Sequence, residues 1–351
     1  MGIKGEVLEW TRSFLKNRRQ RVIVDGEPST WAPVVSGIPQ GSVIGPVLFV
    51  CYINDLPETI LSPCEMFADD TKVHRVINSP DEQAKLQRDR LLEWSDKWLL
   101  KFNASKCKVL QIGNRDDTRT YHMNNVTLEN VTEERDLGVT VDQNLTFHDH
   151  VDQQVAKANQ ILGLIRRALT YIDGDVMRTL FNSLVCPHLE YSAVVWRPIN
   201  KEYQYKIENV LRRATRLVPE IRHLDYEDRL KALDMPSMLY RHRRGDAIEA
   251  WKCLNGKYDI TPRFTLEDDR RAETSSVHNT RGNSLKLTKS HASRSRGWFF
   301  TNRVINDWNQ LPDSLANAAN VNIFKNGIDK LWVKDRYKTP YGPWSDYQVF
   351  E

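Results

Sequence analysis

Cys64-Glu65-Met66-Phe67-Ala68-Asp69-Asp70-Thr71-Lys72-Val73-His74-Arg75-Val76 is the stretch from which the fold is read. A short apolar run and a β-type run flank two adjacent acids, the pattern of two strands meeting at a tight turn. Asp69 and Asp70 would stand at its tip. Two fixed carboxylates side by side repel each other, and a divalent cation relieves that repulsion. The same residues also read as an acidic turn in solvent, the commoner fate of an Asp-Asp pair. Upstream, Ser36 to Gly45 is a Gly-rich turn containing Gly37-Ile38-Pro39-Gln40-Gly41-Ser42, and Pro46 opens a helix carrying Leu48, Phe49, Tyr52, Ile53 and Leu56.

The flanks define an α+β architecture. An amphipathic helix over 5–17 presents Leu8, Thr11, Phe14 and Leu15 on one face, and Gln20–Val24 and Ser29–Val35 form a hairpin around Asp25-Gly26. Ser79-Pro80-Asp81-Glu82 starts a helix running to about Phe102, with Leu91, Trp94, Trp98 and Phe102 on one side, a core stripe. Cys107–Ile112 is a strand. Tyr121–Leu128 is a hairpin broken at Asn124-Asn125, and Leu137, Val139 and Val141 alternate as a strand. Residues 1–145 thus mix hairpins and helices around one sheet. From Phe147 the pattern changes to helices: 151–169, 176–184 with a break at Pro187, 203–217, and one from Pro236 to a cap at Asn255-Gly256. Residues 257–296 read as a basic polar linker or long loop, and 297–351 as a C-terminal helical segment.

Composition excludes several classes. No apolar run is long enough to span a membrane; Pro46–Ile53 is the longest. The N-terminus lacks a signal-peptide pattern. Five scattered cysteines without a Cys-x-x-Cys pair argue for reduced thiols in an intracellular protein, in cytoplasm or nucleus, and against a zinc ribbon. Net charge is only +4, yet Arg270–Arg303 holds eight Lys/Arg against Glu273 alone, and Arg12–Arg21 holds five and no acid. Concentrated positive charge suits a polyanion such as nucleic acid, and it is also what a solvated basic loop looks like. Arg18, Arg19, Arg212, Arg213, Arg216, Arg294 and Arg296 are the candidate nucleic-acid contacts.

Gly37-Ile38-Pro39-Gln40-Gly41-Ser42 with Gly45-Pro46, followed by Phe67-Ala68-Asp69-Asp70, resembles the second and third polymerase motifs of reverse transcriptases from non-LTR retrotransposons of the jockey and chicken-repeat kind. Asn103-Ala104-Ser105-Lys106-Cys107-Lys108 is similar to that family's fourth motif and Leu137-Gly138-Val139 to its fifth. Trp308-Asn309-Gln310-Leu311-Pro312, with Phe324-Lys325 and Leu331-Trp332, resembles its C-terminal region. The resemblance implies a polymerase palm (a ferredoxin-like antiparallel sheet with packed helices) over 1–145 and a helical thumb over 146–256. It implies two-metal nucleotidyl transfer with Mg²⁺, deoxynucleoside triphosphates, an RNA template and a DNA primer. Asp69 would be the principal metal ligand, with Asp70 supporting it and Lys106 near the triphosphate. Gly37, Pro39, Gln40, Gly41, Ser42 and Phe67 would line the nucleotide and template site.

One part of the pattern departs from the family. Its first motif supplies an aspartate on an earlier strand, and Asp25, in a hairpin turn, is the sole aspartate ahead of Gly37. The expectation is an N-terminally truncated element that is a poor polymerase by itself. A non-catalytic nucleic-acid-binding remnant is the alternative. Oligomeric state is not legible.

Overall fold

A computed structural model describes residues 4–87, 90–113, 119–258, 264–266, 283–289 and 299–339. The chain divides into two compact units, Met1–Val109 with Arg115–Val131, and Leu110–Asn114 with Thr132–Glu351. Helices and small antiparallel ribbons alternate, so the class is α+β.

The first unit opens with α1 (Glu6–Leu15). A long ribbon follows, in which β1 (Arg19–Gln20) pairs with β4 (Ala32–Pro33) and β2 (Ile23–Val24) with β3 (Glu27–Pro28). Asp25 and Gly26 both take positive φ, as a two-residue hairpin turn matching strand twist requires. Next come α2 (Gly45–Ile53) and α3 (Leu56–Thr59), then the hairpin of β5 (Cys64–Phe67) and β6 (Asp70–Val73). The single helix expected over 79–102 is instead two, α4 (Pro80–Gln87) and α5 (Leu91–Trp98). Leu99 at φ 55° ends α5, so Phe102 reaches the core from beyond the helix. The tryptophan stripe is core as expected: Ile53, Leu56, Ile60 and Trp94 are buried, and Phe49, Cys64, Met66, Val73, Leu91, Trp98 and Phe102 pack on them. A 3₁₀ turn (Ala104–Lys106) leads into β7 (Lys108–Leu110). The hairpin of β8 (His122–Met123) and β9 (Val126–Thr127) turns through Asn124 and Asn125, both at positive φ. β10 (Glu129–Val131) closes this part of the chain. Among the described residues the strands pair two by two instead of in one sheet. Runs of two to four residues leave too few ladder bonds and too little apolar face to recruit a third strand.

In the second unit β11 (Glu133–Asp136) pairs with β12 (Val139–Asp142). Leu137 was expected in a strand but forms the turn with Gly138, both at positive φ. Asp142 accepts the backbone N–H groups of Asn144, Thr146 and Phe147, closing the loop into α6 (His148–Ala168). α7 (Gly174–Leu180) runs into a π-helical turn over Phe181–Val185 just before α8 (Cys186–Glu190). The break expected at Pro187 takes this form because proline lacks the N–H that would continue the ladder. α9 (Ala193–Trp196), α10 (Lys201–Thr215) and α11 (Tyr226–Ala232) complete one core around Met177, Phe181, Leu189, Trp196 and Leu211.

α12 (Met238–Leu254) bridges that core to another made with α13 (Phe300–Arg303), α14 (Ile305–Asn309), α15 (Asp313–Ala316) and α16 (Val321–Leu331). Part of the polar stretch read as linker is built into this core. Leu287 is buried there, Asn283 donates to Trp308 O and Leu311 O, and the Asn309 amide clamps both backbone groups of Leu287. No helix among the described residues is long and apolar enough to cross a membrane, and all five cysteines are free thiols.

Candidate functional site

The β5–β6 hairpin has two unlike faces. Its register sets Cys64 opposite Val73 and Met66 opposite Thr71, and Cys64, Met66 and Val73 pack on the core. Alternation sends Glu65, Phe67, Asp70 and Lys72 to the open face, where Phe67 is 65% exposed. Ala68 and Asp69 are the two turn residues, and Ala68 sits at φ 52°. A residue with a Cβ pays about 1–2 kcal/mol for that conformation. The strain lifts Asp69 to the apex, beside Asp70 at the first position of β6. Both carboxylates are exposed, and among the described residues neither has a side-chain partner. On the same face the Glu65 carboxylate meets His74 Nδ1 at 2.9 Å.

The hairpin is anchored by residues that carry no polymerase signature. Asp55, at the start of α3, accepts the indole N–H of Trp94 at 2.8 Å on one oxygen and that of Trp98 at 3.0 Å on the other. Past β6, Arg75 bonds Glu82 at 2.6 Å, Ser62 Oγ at 3.1 Å and Leu61 O at 2.8 Å, tying the hairpin's exit to α4. The sequence reading missed both. An aspartate before Leu56-Pro57 looks like a plain helix start, and nothing local names partners about forty positions away.

The Gly37–Ser42 loop is a self-contained turn. Gly37 and Gly41 both lie at φ 78°, with open space where a side chain would project. Their glycines are therefore required by backbone conformation, and the space beside them stays free for a ligand. Ser42 Oγ donates to Pro39 O at 2.7 Å and accepts the Gly45 N–H at 3.0 Å, joining the loop to the first turn of α2. A Cβ at Gly45 would lie 2.8 Å from Ser42 Oγ, so a third glycine is needed there for packing. Gln40 is exposed. Arg18 donates to Leu15 O, Ser36 O and Gly37 O, which makes it a brace of this loop.

Lys106 is exposed in the 3₁₀ turn, which Asn103 caps through Ser105. Among the described residues no hydrogen bond or ion pair links Lys106, the Gly37–Ser42 loop and the Asp69-Asp70 turn to one another. The basic candidates divide. Arg19, Arg213 and Arg216 are exposed, Arg213 with a 3.3 Å bond to Asn159. Arg212 is half-buried over the Tyr226 ring at 5.1 Å, and burial lowers its pKa, so it belongs to packing. Arg294 and Arg296 lie outside the described residues.

Exposed paired carboxylates are the donor type that Mg²⁺ takes, one or two at a time, alongside water and phosphate oxygens. Asp69 and Asp70 fit that role as part of a site. Among the described residues no group of three or more His, Cys, Asp or Glu is placed to hold a metal, so the hairpin does not form a closed cage.

Comparison with known proteins bears on the same segment. The family model for reverse transcriptase (RNA-dependent DNA polymerase) matches residues 1–148. The chain is 30% identical over 154 residues to the RNA-directed DNA polymerase from mobile element jockey of Drosophila melanogaster, covering 40% of this chain and 17% of that protein. It is 29% identical over 211 residues to the jockey polymerase of Drosophila funebris, covering 54% and 22%. With the probable RNA-directed DNA polymerase from transposon X-element of Drosophila melanogaster it shares 26% over 226 residues, 59% and 24%. The chain therefore spans about a fifth of the length of the curated relatives it matches. No solved structure matches it. Residues 1–148 are thus similar to the reverse transcriptase family, and the relatives named here are RNA-directed DNA polymerases of jockey and other mobile elements.

Proposed function

We propose that this chain carries the nucleotidyl-transfer hairpin of an RNA-directed DNA polymerase acting on an RNA template, a DNA primer and deoxynucleoside triphosphates. The observation that carries the reading is the apex of the β5–β6 hairpin, where a strained Ala68 raises two unpartnered carboxylates above a packed core. In this reading Asp69 and Asp70 would hold Mg²⁺, which when bound would supply Lewis-acid stabilisation of the charge that develops in phosphoryl transfer. Phe67, beside them on the open face, supports the nucleotide. The open space at Gly37 and Gly41 admits the nascent pair, with Pro39, Gln40 and Ser42 shaping that wall. Lys106 offsets triphosphate charge. We read residues 1–145 as palm, 146–256 as thumb-like, 257–296 as a basic connection and 297–351 as a C-terminal segment. Two-metal transfer needs a further carboxylate source beyond this hairpin, so the chain by itself is expected to extend primers poorly.

The test is primer extension on an RNA template with Mg²⁺, comparing the chain with Asp69→Asn. Extension that vanishes in the variant supports the reading; extension that survives it refutes the role of Asp69. Exposed arginines without an acidic partner among the described residues, Arg19 and Arg213 among them, favour a second reading, nucleic-acid binding without chemistry. Salt-dependent binding with no extension, and no Mn²⁺-induced broadening of the Asp69 and Asp70 resonances, would establish that one instead.

A further inference from the structure

The ribbon preceding the Gly-rich loop bears an aromatic and basic face that the polymerase motifs do not use. The rungs Arg19 opposite Pro33 and Gln20 opposite Ala32 put Arg21 next across from Trp31. The Arg21 guanidinium lies 4.8 Å over the Trp31 ring, and Trp31 is 56% exposed. Arg19 projects from the same face of the ribbon, two residues away. Arg19 and Arg21 are both exposed, and neither meets a carboxylate among the described residues. The acids of the ribbon, Asp25 and Glu27, stand at its far end, so its positive charge gathers at the base.

That base is joined to the Gly-rich loop. Val34 N–H donates to Arg18 O, while the Arg18 side chain donates to Ser36 O and Gly37 O. Five residues lie between Trp31 and Gly37, so six steps along the chain span at most about 20 Å. The span suits a few nucleotides of one strand.

We propose that Trp31 and Arg21 form a stacking subsite for an unpaired stretch of nucleic acid. Trp31 takes a base on its exposed ring, and Arg21 and Arg19 meet the flanking phosphates. An indole face recognises an unstacked base and has no purchase on a duplex, whose bases are already stacked; the charge complements phosphate. The proposal goes beyond the polymerase reading and needs no turnover. It rests on that reading only for the sense of the strand's path toward Gly37.

The test measures equilibrium binding of the full chain, in EDTA, to a single-stranded RNA 12-mer and to its blunt duplex across a salt series. Trp31→Ala is expected to weaken single-strand binding roughly 5- to 150-fold, the range for loss of one base–aromatic stack, with duplex binding unchanged. Trp31→Phe should retain most of the affinity, and its normal melting shows that the ribbon folds. Arg21→Gln should reduce the single-strand salt slope by about 0.7. Unchanged single-strand affinity in Trp31→Ala overturns the proposal, as does an equal loss on both probes. Because binding is read in EDTA, without Mg²⁺ or turnover, failure of this subsite is distinguishable from failure of the active-site reading, which primer extension tests.

Discussion

Lowering the pH should loosen the helical core through two histidines that are buried in their neutral form. His150 is 1% exposed; its Nδ1 accepts the Thr140 N–H at 3.2 Å, and its ring stands edge-on to Trp196 at 5.1 Å. His242 also stands edge-on to Trp196, at 5.6 Å, and pairs Nε2 with Leu189 O at 2.7 Å. Burial, reinforced by Lys157 and Arg135 around His150, pulls its pKa from 6.5 to about 4. Burial does the same for His242, to about 4; Arg197 adds to the drop, and the Leu189 carbonyl, Glu190 and Asp246 oppose it. A folded pKa below the unfolded one gives stability that is complete above pH 6.5 and is lost as pH falls toward 4. At about 1.36 kcal/mol per tenfold change in proton affinity, each histidine accounts for roughly 3 kcal/mol. His242→Gln keeps a neutral donor for Leu189 O and removes the titration. Urea denaturation of both proteins between pH 7.5 and 4 isolates the effect, because every other group cancels in the difference. The stability difference between parent and variant should shift by about 3 kcal/mol across that range, at the parent's expense in acid. A difference constant to about 0.5 kcal/mol, or a His242 Cε1 resonance titrating near 6.5, refutes the reasoning.

Glu208 should act with the opposite sign. It is fully enclosed, accepting from Tyr226 Oη at 2.7 Å and Leu239 N at 3.2 Å, and burial raises its pKa from 4.5 to about 7. Its contribution is present below pH 4.5 and lost as pH rises through 7, so Glu208→Gln should gain about 3 kcal/mol relative to the parent between pH 4 and 8 by the same denaturation assay. Asp55→Asn turns an amide N–H₂ toward one of the two indole donors. It should cost the first unit about 2 kcal/mol, the worth of a hydrogen bond to a charged group, read from chemical denaturation and near-ultraviolet tryptophan dichroism. Asn309→Ala frees both backbone groups of Leu287 and should cost about 2–3 kcal/mol, with the Leu287 amide losing hydrogen-exchange protection before those of α12.

What the sequence reveals is what repeats within a few residues. The β5–β6 hairpin was legible because its apolar positions alternate up to a two-residue turn, and α6 because Val151, Ala158, Leu162 and Ile165 return at helical spacing. The tryptophan stripe could be assigned to the core for the same reason. The positive φ of Ala68 was not legible, since alanine carries no preference for it; the two-residue turn between β5 and β6 imposes it. Nor was the split between α4 and α5, where every residue from Leu91 to Trp98 fits a longer helix. α11 was overlooked because seven residues, charged at four positions, show too short a period.

Basic residues in a sequence are not the same thing as a basic surface, and the second unit shows why. α12 reads as a cationic helix through Arg241, Arg243 and Arg244, yet each guanidinium is committed inside the fold. Arg243 grips Asp307 at 2.8 Å and Asp335 at 3.0 Å; Arg244 grips Asp329 at 2.6 Å; Arg241 reaches Glu190 at 3.3 Å and Asn182 at 2.6 Å. Asp246 on the same helix takes Arg197 and Arg303 at 2.7 and 2.8 Å. Such half-buried pairs return little net stability, because desolvation offsets attraction, but a missing partner leaves a costly lone charge. They therefore fix the register of the C-terminal helices on α12 more than they strengthen it. The pairs to Asp307, Asp329 and Asp335 span 64 to 92 residues, beyond the reach of any local pattern. Among the described residues, the charge without an internal acid, and so free for a polyanion, includes Arg19 and Arg21 on the ribbon and Arg213 and Arg216 at the end of α10. A count of lysines and arginines finds the segments that hold such residues, and only the fold separates free cations from braces.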